Sequence, residues 1–274
     1  MAERTREQVR EHYEIEKEIA ARLRAAAREE RVHLYGELYD ELFRRVPHHP
    51  QLHAKMSETE RAAEVVWQLR ILSRFIAPAT RFLEIGAGAC ALSLAVASRV
   101  RHVTAVDVSD VISRDEPRPA NFRLVLAVAL GGAVPPGTID VAYSNQMIEH
   151  LHPEDAETHL RDVHAVLAPG GVYVCITPNR TTGPHDISEG FDPVATGLHL
   201  REYLAPELAR AMRRAGFAHV SALVGPPRYI RPVPVAVVAA AERLVGLLPH
   251  TVRGRLGPNR VVRTVLGLRL AAWK

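Results

Sequence analysis

Apolar and polar positions change rhythm along this 274-residue chain. Up to about residue 75, apolar residues recur every three or four positions, the spacing of a helix face. Val9, Tyr13, Ile19 and Leu23 punctuate the charge-rich stretch from Arg6 to Arg31, and Tyr35, Leu38, Tyr39, Leu42 and Phe43 form one apolar face. Pro47-His48-His49-Pro50 reads as a loop, and a third helix is predicted from about Ser57 to Phe75, opened by a Ser57-x-x-Glu60 capping box. From residue 78, short apolar runs alternate with helical spacing. Strands are predicted at about 81–85, 102–107, 122–126, 139–144, 171–176 and 217–224, with a last strand from Leu268 to Trp273 returning antiparallel. Such alternation implies a mainly parallel sheet with right-handed crossovers. The predicted architecture is therefore α/β: a helical cap over residues 1–76, then a core over 77–274. A helical segment is inserted at about 228–262, with an apolar helix from about Val235 to Leu248.

The chemistry concentrates at the first two strand ends. Phe82-Leu83-Glu84-Ile85-Gly86-Ala87-Gly88-Ala89-Cys90 is a strand, a glycine turn and the start of a helix. Gly86 and Gly88 let the backbone turn sharply and let a ligand come close. Asp107 closes the next apolar run about twenty residues on, where a doubly wound fold offers a carboxylate to ribose hydroxyls. A nucleoside-type cofactor is implied. Ala91 occupies the place of a dinucleotide site's third glycine, which such a fold tolerates. Glu84 would repel a pyrophosphate but suits a cationic, zwitterionic methionine end.

Glu-x-Gly-x-Gly with a downstream Asp resembles the first two motifs of class I S-adenosylmethionine-dependent methyltransferases. The run from Ile139 to Leu151, including Asn145 and Glu149-His150, resembles the fourth-strand motif of that family. Leu167-Ala168-Pro169-Gly170-Gly171 resembles its turn before the fifth strand. Segments around His12–Glu18, Leu34–Leu52 and Pro178–Tyr203 are similar to one bacterial subgroup with an N-terminal helical cap. The resemblance implies a Rossmann-like fold of about seven strands with S-adenosyl-L-methionine as cofactor. Glu84, Gly86, Ala87, Gly88, Asp107, Val108 and Asn145 would bind it. Tyr13, Tyr35 and Tyr39 could close over its sulfonium through cation–π attraction, although Tyr35 and Tyr39 also read as packing between the cap helices. It also leads one to expect an acid after the third strand for the adenine amino group. The run Leu124–Leu130 contains none, which leaves apolar and backbone contacts for that ring.

Methyl transfer needs alignment and exclusion of water, and a base only where the acceptor must lose a proton. His150 is the first candidate, placed just past the fourth strand, with His185 and His199 from the acceptor side after the fifth. No metal is expected: Glu149, His150 and His152 have oxygen and imidazole donors but no acid cluster to complete a site.

Charge and composition add the remaining expectations. No apolar run approaches the roughly 18 residues of a membrane span, and the charged N-terminus lacks a signal core. Cys90 and Cys175 read as small core residues, so a cytoplasmic setting is expected and the sequon at Asn179 carries no meaning. The net charge is +4, but residues 228–274 hold nine basic residues against one acid, Glu242. That tail suits a solvated edge or a dimer surface, and also weak contact with an anionic membrane surface or a phosphorylated acceptor; nucleic acid is not expected, because no aromatic platform interleaves the arginines. The oligomeric state is not legible.

The leading expectation is methylation of an oxygen or nitrogen of a small-molecule acceptor, a sugar or specialised metabolite. Two other readings stay open. A sealed pocket would let the methionine amine attack its own γ-carbon, giving azetidine-2-carboxylate and methylthioadenosine. A decayed site would leave a non-catalytic binding subunit.

Overall fold

The computed structural model describes residues 4–53, 58–109, 113, 117–226, 229–256 and 259–274. Ser57, and with it the expected capping box, lies outside them. Helix α1 (Arg6–Ala25) begins with a different box: Thr5 Oγ1 accepts from Gln8 N–H at 3.2 Å and Gln8 Oε1 from Thr5 N–H at 2.9 Å. The helix predicted to run on to Arg31 stops at Ala25 and restarts as α2 (Arg28–Arg45). Nothing in Ala25-Ala26-Ala27 marks a stop. The break is held from outside, because Arg31 bonds Ala26 O at 2.8 Å and the carboxylate of Asp155 at 2.7 Å.

After α3 (Pro50–His53) and α4 (Glu58–Leu72) come β1 (Arg81–Ile85), α5 (Ala91–Ala97), β2 (His102–Asp107), β3 (Phe122–Leu126) and β4 (Ile139–Asn145). A 3₁₀ turn (Ile148–His150) leads into α6 (Pro153–Val166) and β5 (Leu167–Thr177). Then follow a second 3₁₀ turn (Arg180–Thr182), α7 (Ala205–Arg214), β6 (His219–Val224), β7 (Arg231–Pro234), α8 (Val235–Gly246), α9 (His250–Leu256), α10 (Arg260–Leu266) and β8 (Leu268–Trp273).

The sheet order is β3-β2-β1-β4-β5-β8-β6-β7. Neighbouring strands run parallel from β3 to β5, and β8 is antiparallel to both β5 and β6. The strand count is eight rather than about seven. The extra strand is β7, Arg231-Pro232-Val233-Pro234, whose two prolines argue for a loop; at the sheet edge, one side of the strand needs no ladder partner, so proline is tolerated. The expected Pro-Gly-Gly turn lies within β5, where Gly170 has a φ of +75° and pairing with β4 is irregular between Ile139 and Val141.

Both faces of the sheet are covered. One face packs Leu83, Ala142, Tyr173 and Leu270 against Leu160 and Val163 of α6 and Leu208 and Met212 of α7. The other packs Phe82, Val103, Tyr143 and Val174 against α4 and α5 through Ile71, Leu72, Leu92 and Val96. A third cluster, from α1 and α2, includes Ile19, Leu23, Leu38 and Leu42 and takes in Leu198 of the segment after β5. Each large side chain buried in this way contributes about 1.5–3 kcal/mol. Cys90 and Cys175 are free and buried.

Candidate active site

The carboxyl ends of β1, β2 and β4 meet where the strand order reverses, the place where an open α/β sheet receives its ligand. Gly86 leaves β1 with a φ of +71° and donates to Val106 O at 2.9 Å; a Cβ there would lie 2.8 Å from Met147 Cγ. Ala87 is buried below it, and Gly88 N–H donates to Asp107 Oδ2 at 2.7 Å. The other Asp107 oxygen accepts from Val108 N–H at 2.7 Å and Ser109 N–H at 3.2 Å. One carboxylate thus ties the β1 turn to the end of β2. Val108 is exposed beside it, and Asn145 is half-buried at the end of β4. After β3, Leu126 and Val128 stay exposed where the adenine-side acid is lacking, an apolar shelf next to the β2 end.

Glu84 is enclosed rather than open. Its Oε2 accepts from Ser93 Oγ of α5 at 2.5 Å, and burial pushes its pKa up to about 7 despite that bond. It underlies the turn and contributes negative potential there only when ionised.

The aromatic residues expected over the cofactor hold the cap in place. Tyr13 stacks on Phe191 with ring centres 4.2 Å apart and donates to Asp192 Oδ2 at 2.6 Å. Tyr35 donates to Asp155 Oδ2 at 2.8 Å and accepts from His152 N–H at 2.8 Å, so it fixes the start of α6. Tyr39, one turn further along α2, has its ring centre 6.2 Å from that of His150, and the charges of Glu16, Glu149 and Asp107 act together with burial to raise its pKa. It brings an aromatic ring of the cap beside the histidine that follows β4. In the sequence it belongs to the same i, i+4 stripe as Tyr35, and that stripe reads as packing.

His150 and His199 come together at the acceptor side, ring centres 4.9 Å apart and nearly perpendicular. Nδ1–H of His150 donates to Leu198 O at 3.1 Å. Loss of water around the ring, then the neighbouring His199, lower its pKa to about 3, so it is a neutral hydrogen-bonding group and a weak base. His199 is the opposite case. Burial alone would lower its pKa, but Nδ1–H bonds Glu202 Oε1 at 2.9 Å, and the charges of Glu149 and Glu202 leave it raised. Glu202, missed from the sequence, also accepts from His185 N–H at 2.7 Å. The His185 ring is turned to Asn179 O at 3.0 Å, so its main chain serves this cluster. His199-x-x-Glu202 is the sequence signal that was available. His152 caps α6, accepting from Glu154 N–H at 3.4 Å.

Glu149 is fully buried. Thr177 Oγ1 donates to its Oε2 at 2.8 Å, while Oε1 has no partner, and burial raises its pKa to about 7. Between the ordinary glutamate value of 4.5 and about 7, the folded chain holds a proton that the unfolded chain releases, so this group's contribution to stability falls as pH rises. Glu149→Gln mimics the protonated acid. In the ligand-free protein its Tm should match wild type near pH 4.5 and exceed it above pH 7; a pH-independent difference would mean that the acid is hydrated.

Among the described residues, Glu149, His150 and His199 bring three donor atoms within 4.8 Å of one another, as do His12, Glu16 and His49. In the second group, Arg4 donates to His12 Nδ1 at 2.9 Å and brings a positive charge against any cation.

The arrangement fits an adenosyl sulfonium: a carboxylate at the β2 end, a glycine turn at positive φ with no room for a Cβ at Gly86, and a half-buried amide at β4. A family model described as a methyltransferase domain matches residues 23–222. A Mycolicibacterium smegmatis protein assigned as an S-adenosylmethionine-dependent methyltransferase is 38% identical over 84 residues, 31% of this chain and 30% of that protein. The ubiquinone biosynthesis O-methyltransferase of Xanthomonas campestris is 28% identical over 159 residues, 53% of this chain and 65% of the relative. The chain thus spans between about a third and two thirds of the length of these relatives. A crystal structure of an S-adenosylmethionine-dependent methyltransferase from Archaeoglobus fulgidus shares the fold, with a TM-score of 0.51 at 18% identity over 78% of this chain and 94% of that one.

Proposed function

The chain belongs to the methyltransferase-domain family, and on that premise we propose that it is an S-adenosylmethionine-dependent enzyme that methylates a small molecule at oxygen or nitrogen, with a hydroxyl oxygen favoured. The observation that carries the choice of oxygen is the buried His199–Glu202 pair, 2.9 Å apart, at the acceptor side of the strand ends. An alcohol or phenol must lose a proton as it is methylated, and a histidine oriented by a carboxylate accepts one near neutral pH. The name of the Xanthomonas relative supports the same reading.

Bound S-adenosylmethionine supplies a methyl group on a positively charged sulfur, already a good leaving group. Asp107 and the Gly86–Gly88 turn would hold its adenosyl part, with Asn145 and the Gly86 backbone toward the methionine part. His199 takes the acceptor's proton at Nε2, since Nδ1–H is held by Glu202. His150, neutral across the working range, presents its free Nε2 as an acceptor that orients the incoming hydroxyl. α1 and α2 close the site and keep water out, with Tyr39 of α2 placed beside His150.

Incubating the protein with S-adenosylmethionine and a panel of phenols, alcohols and amines is the direct test. Formation of S-adenosylhomocysteine that depends on a hydroxylated acceptor is expected. Turnover with amines alone would overturn the assignment to oxygen, and methylthioadenosine as the sole product would overturn methyl transfer.

A further inference from the structure

Helix α8 is apolar on two sides. Val235 and Val238 face the core, while Val237, Ala240, Leu244 and Leu247 recur at helical spacing on the outside. Leu244 is 69% exposed and Leu247 is 82% exposed, and Val261 of α10 is 73% exposed on the same segment. A soluble surface rarely leaves such residues in one stripe without a use. The charge of the segment that carries them is almost all positive. Residues 228–274 carry nine basic residues and one acid. That acid, Glu242, is only 4% exposed and points inward, where Oε1 accepts from Asn179 Nδ2 and Ala205 N–H, both at 2.8 Å. No acid of this segment therefore reaches its surface. Beside α8, a cavity of about 380 Å³ carries Arg210, Arg243 and Arg253 on its wall, with Glu242 and with Glu207 paired to Arg180 at 2.6 Å.

We propose that α8 and the basic segment following it lie on an anionic lipid surface, with the Leu244–Leu247 stripe inserted among the acyl chains and the arginines at the phosphates. Charge complementarity selects this occupant. A second copy of the chain would set the same arginine-rich patch against itself, which is repulsive. No helix among the described residues is long and apolar enough to cross a membrane, so the contact is peripheral.

The test is sedimentation of the full chain with vesicles of phosphatidylglycerol and phosphatidylcholine, against vesicles of phosphatidylcholine alone. Binding to the anionic vesicles is expected, weakening with salt. Arg243→Gln with Arg255→Gln should lower the partition coefficient by about 25-fold, about fivefold for each charge removed. Leu244→Ser with Leu247→Ser should remove most of the remainder. Both pairs are surface changes and should leave Tm and cofactor affinity unchanged. Equal binding to neutral vesicles, no binding to either, or insensitivity to both variant pairs would overturn the proposal. So would a dimer in solution that Leu247→Ser dissociates.

Discussion

Replacing Asp107 with alanine should raise the dissociation constant for S-adenosylmethionine by about five- to 150-fold, the consequence of losing a charged acceptor at a ribose. The effect has two parts, which calorimetry on two variants separates. Asp107 accepts from the amides of Gly88, Val108 and Ser109, so its carboxylate shapes the turn before any ligand arrives. Asp107→Asn keeps one oxygen acceptor and the side-chain size, and should recover part of the turn while still losing charge-assisted bonding. Wild-type affinity in Asp107→Ala would remove this residue from the cofactor site. A fall in Tm with unchanged affinity would confine it to a structural role.

His199→Ala should lower kcat by about 10²–10⁴-fold, with the affinity for S-adenosylmethionine intact, because a positioned base acts only on the acceptor. Glu202 is a positioning residue and has its own signature. Its charge helps to hold the His199 pKa above the ordinary value, and a base works only when unprotonated, so activity climbs as pH passes upward through that pKa. Glu202→Gln should move the rising limb of kcat/KM to lower pH and reduce kcat less than loss of the imidazole does. Near-normal turnover in His199→Ala would leave alignment as the whole of the chemistry. An unmoved pH limb in Glu202→Gln would uncouple the pair.

The strands were legible because each is a short apolar run bounded by turn residues, and the strands at 81–85, 102–107, 122–126 and 268–273 have the expected limits. β7 was not legible, since Pro232 and Pro234 forbid a central strand and only the assembled sheet supplies an edge where they fit. The division of α1 from α2 is likewise set by a distant partner, Asp155, and not by any local breaker. At the candidate site, the glycine turn and the place of Asp107 at the end of β2 were visible because both follow from the backbone pattern. The choice among histidines was not, because it depends on burial and on which carboxylate faces which ring. His150 has the suggestive position and a carbonyl for a partner, whereas His199 has the carboxylate. Tyr35 and Tyr39 sit one turn apart on α2, and only the packed structure shows that the first meets Asp155 and the second the His150 ring.

Leu198 is gripped from both ends. Its N–H donates to Glu16 Oε2 of α1 at 3.2 Å, its carbonyl accepts from the His150 ring at 3.1 Å, and Gly197 beside it leaves no Cβ to push that glutamate away. Any swing of α1 that withdraws Glu16 therefore slackens the peptide that aims His150. Seating of α1 and aiming of the His150 imidazole are thus tied through one peptide, so the group that orients the incoming hydroxyl is in place only where the cap is seated.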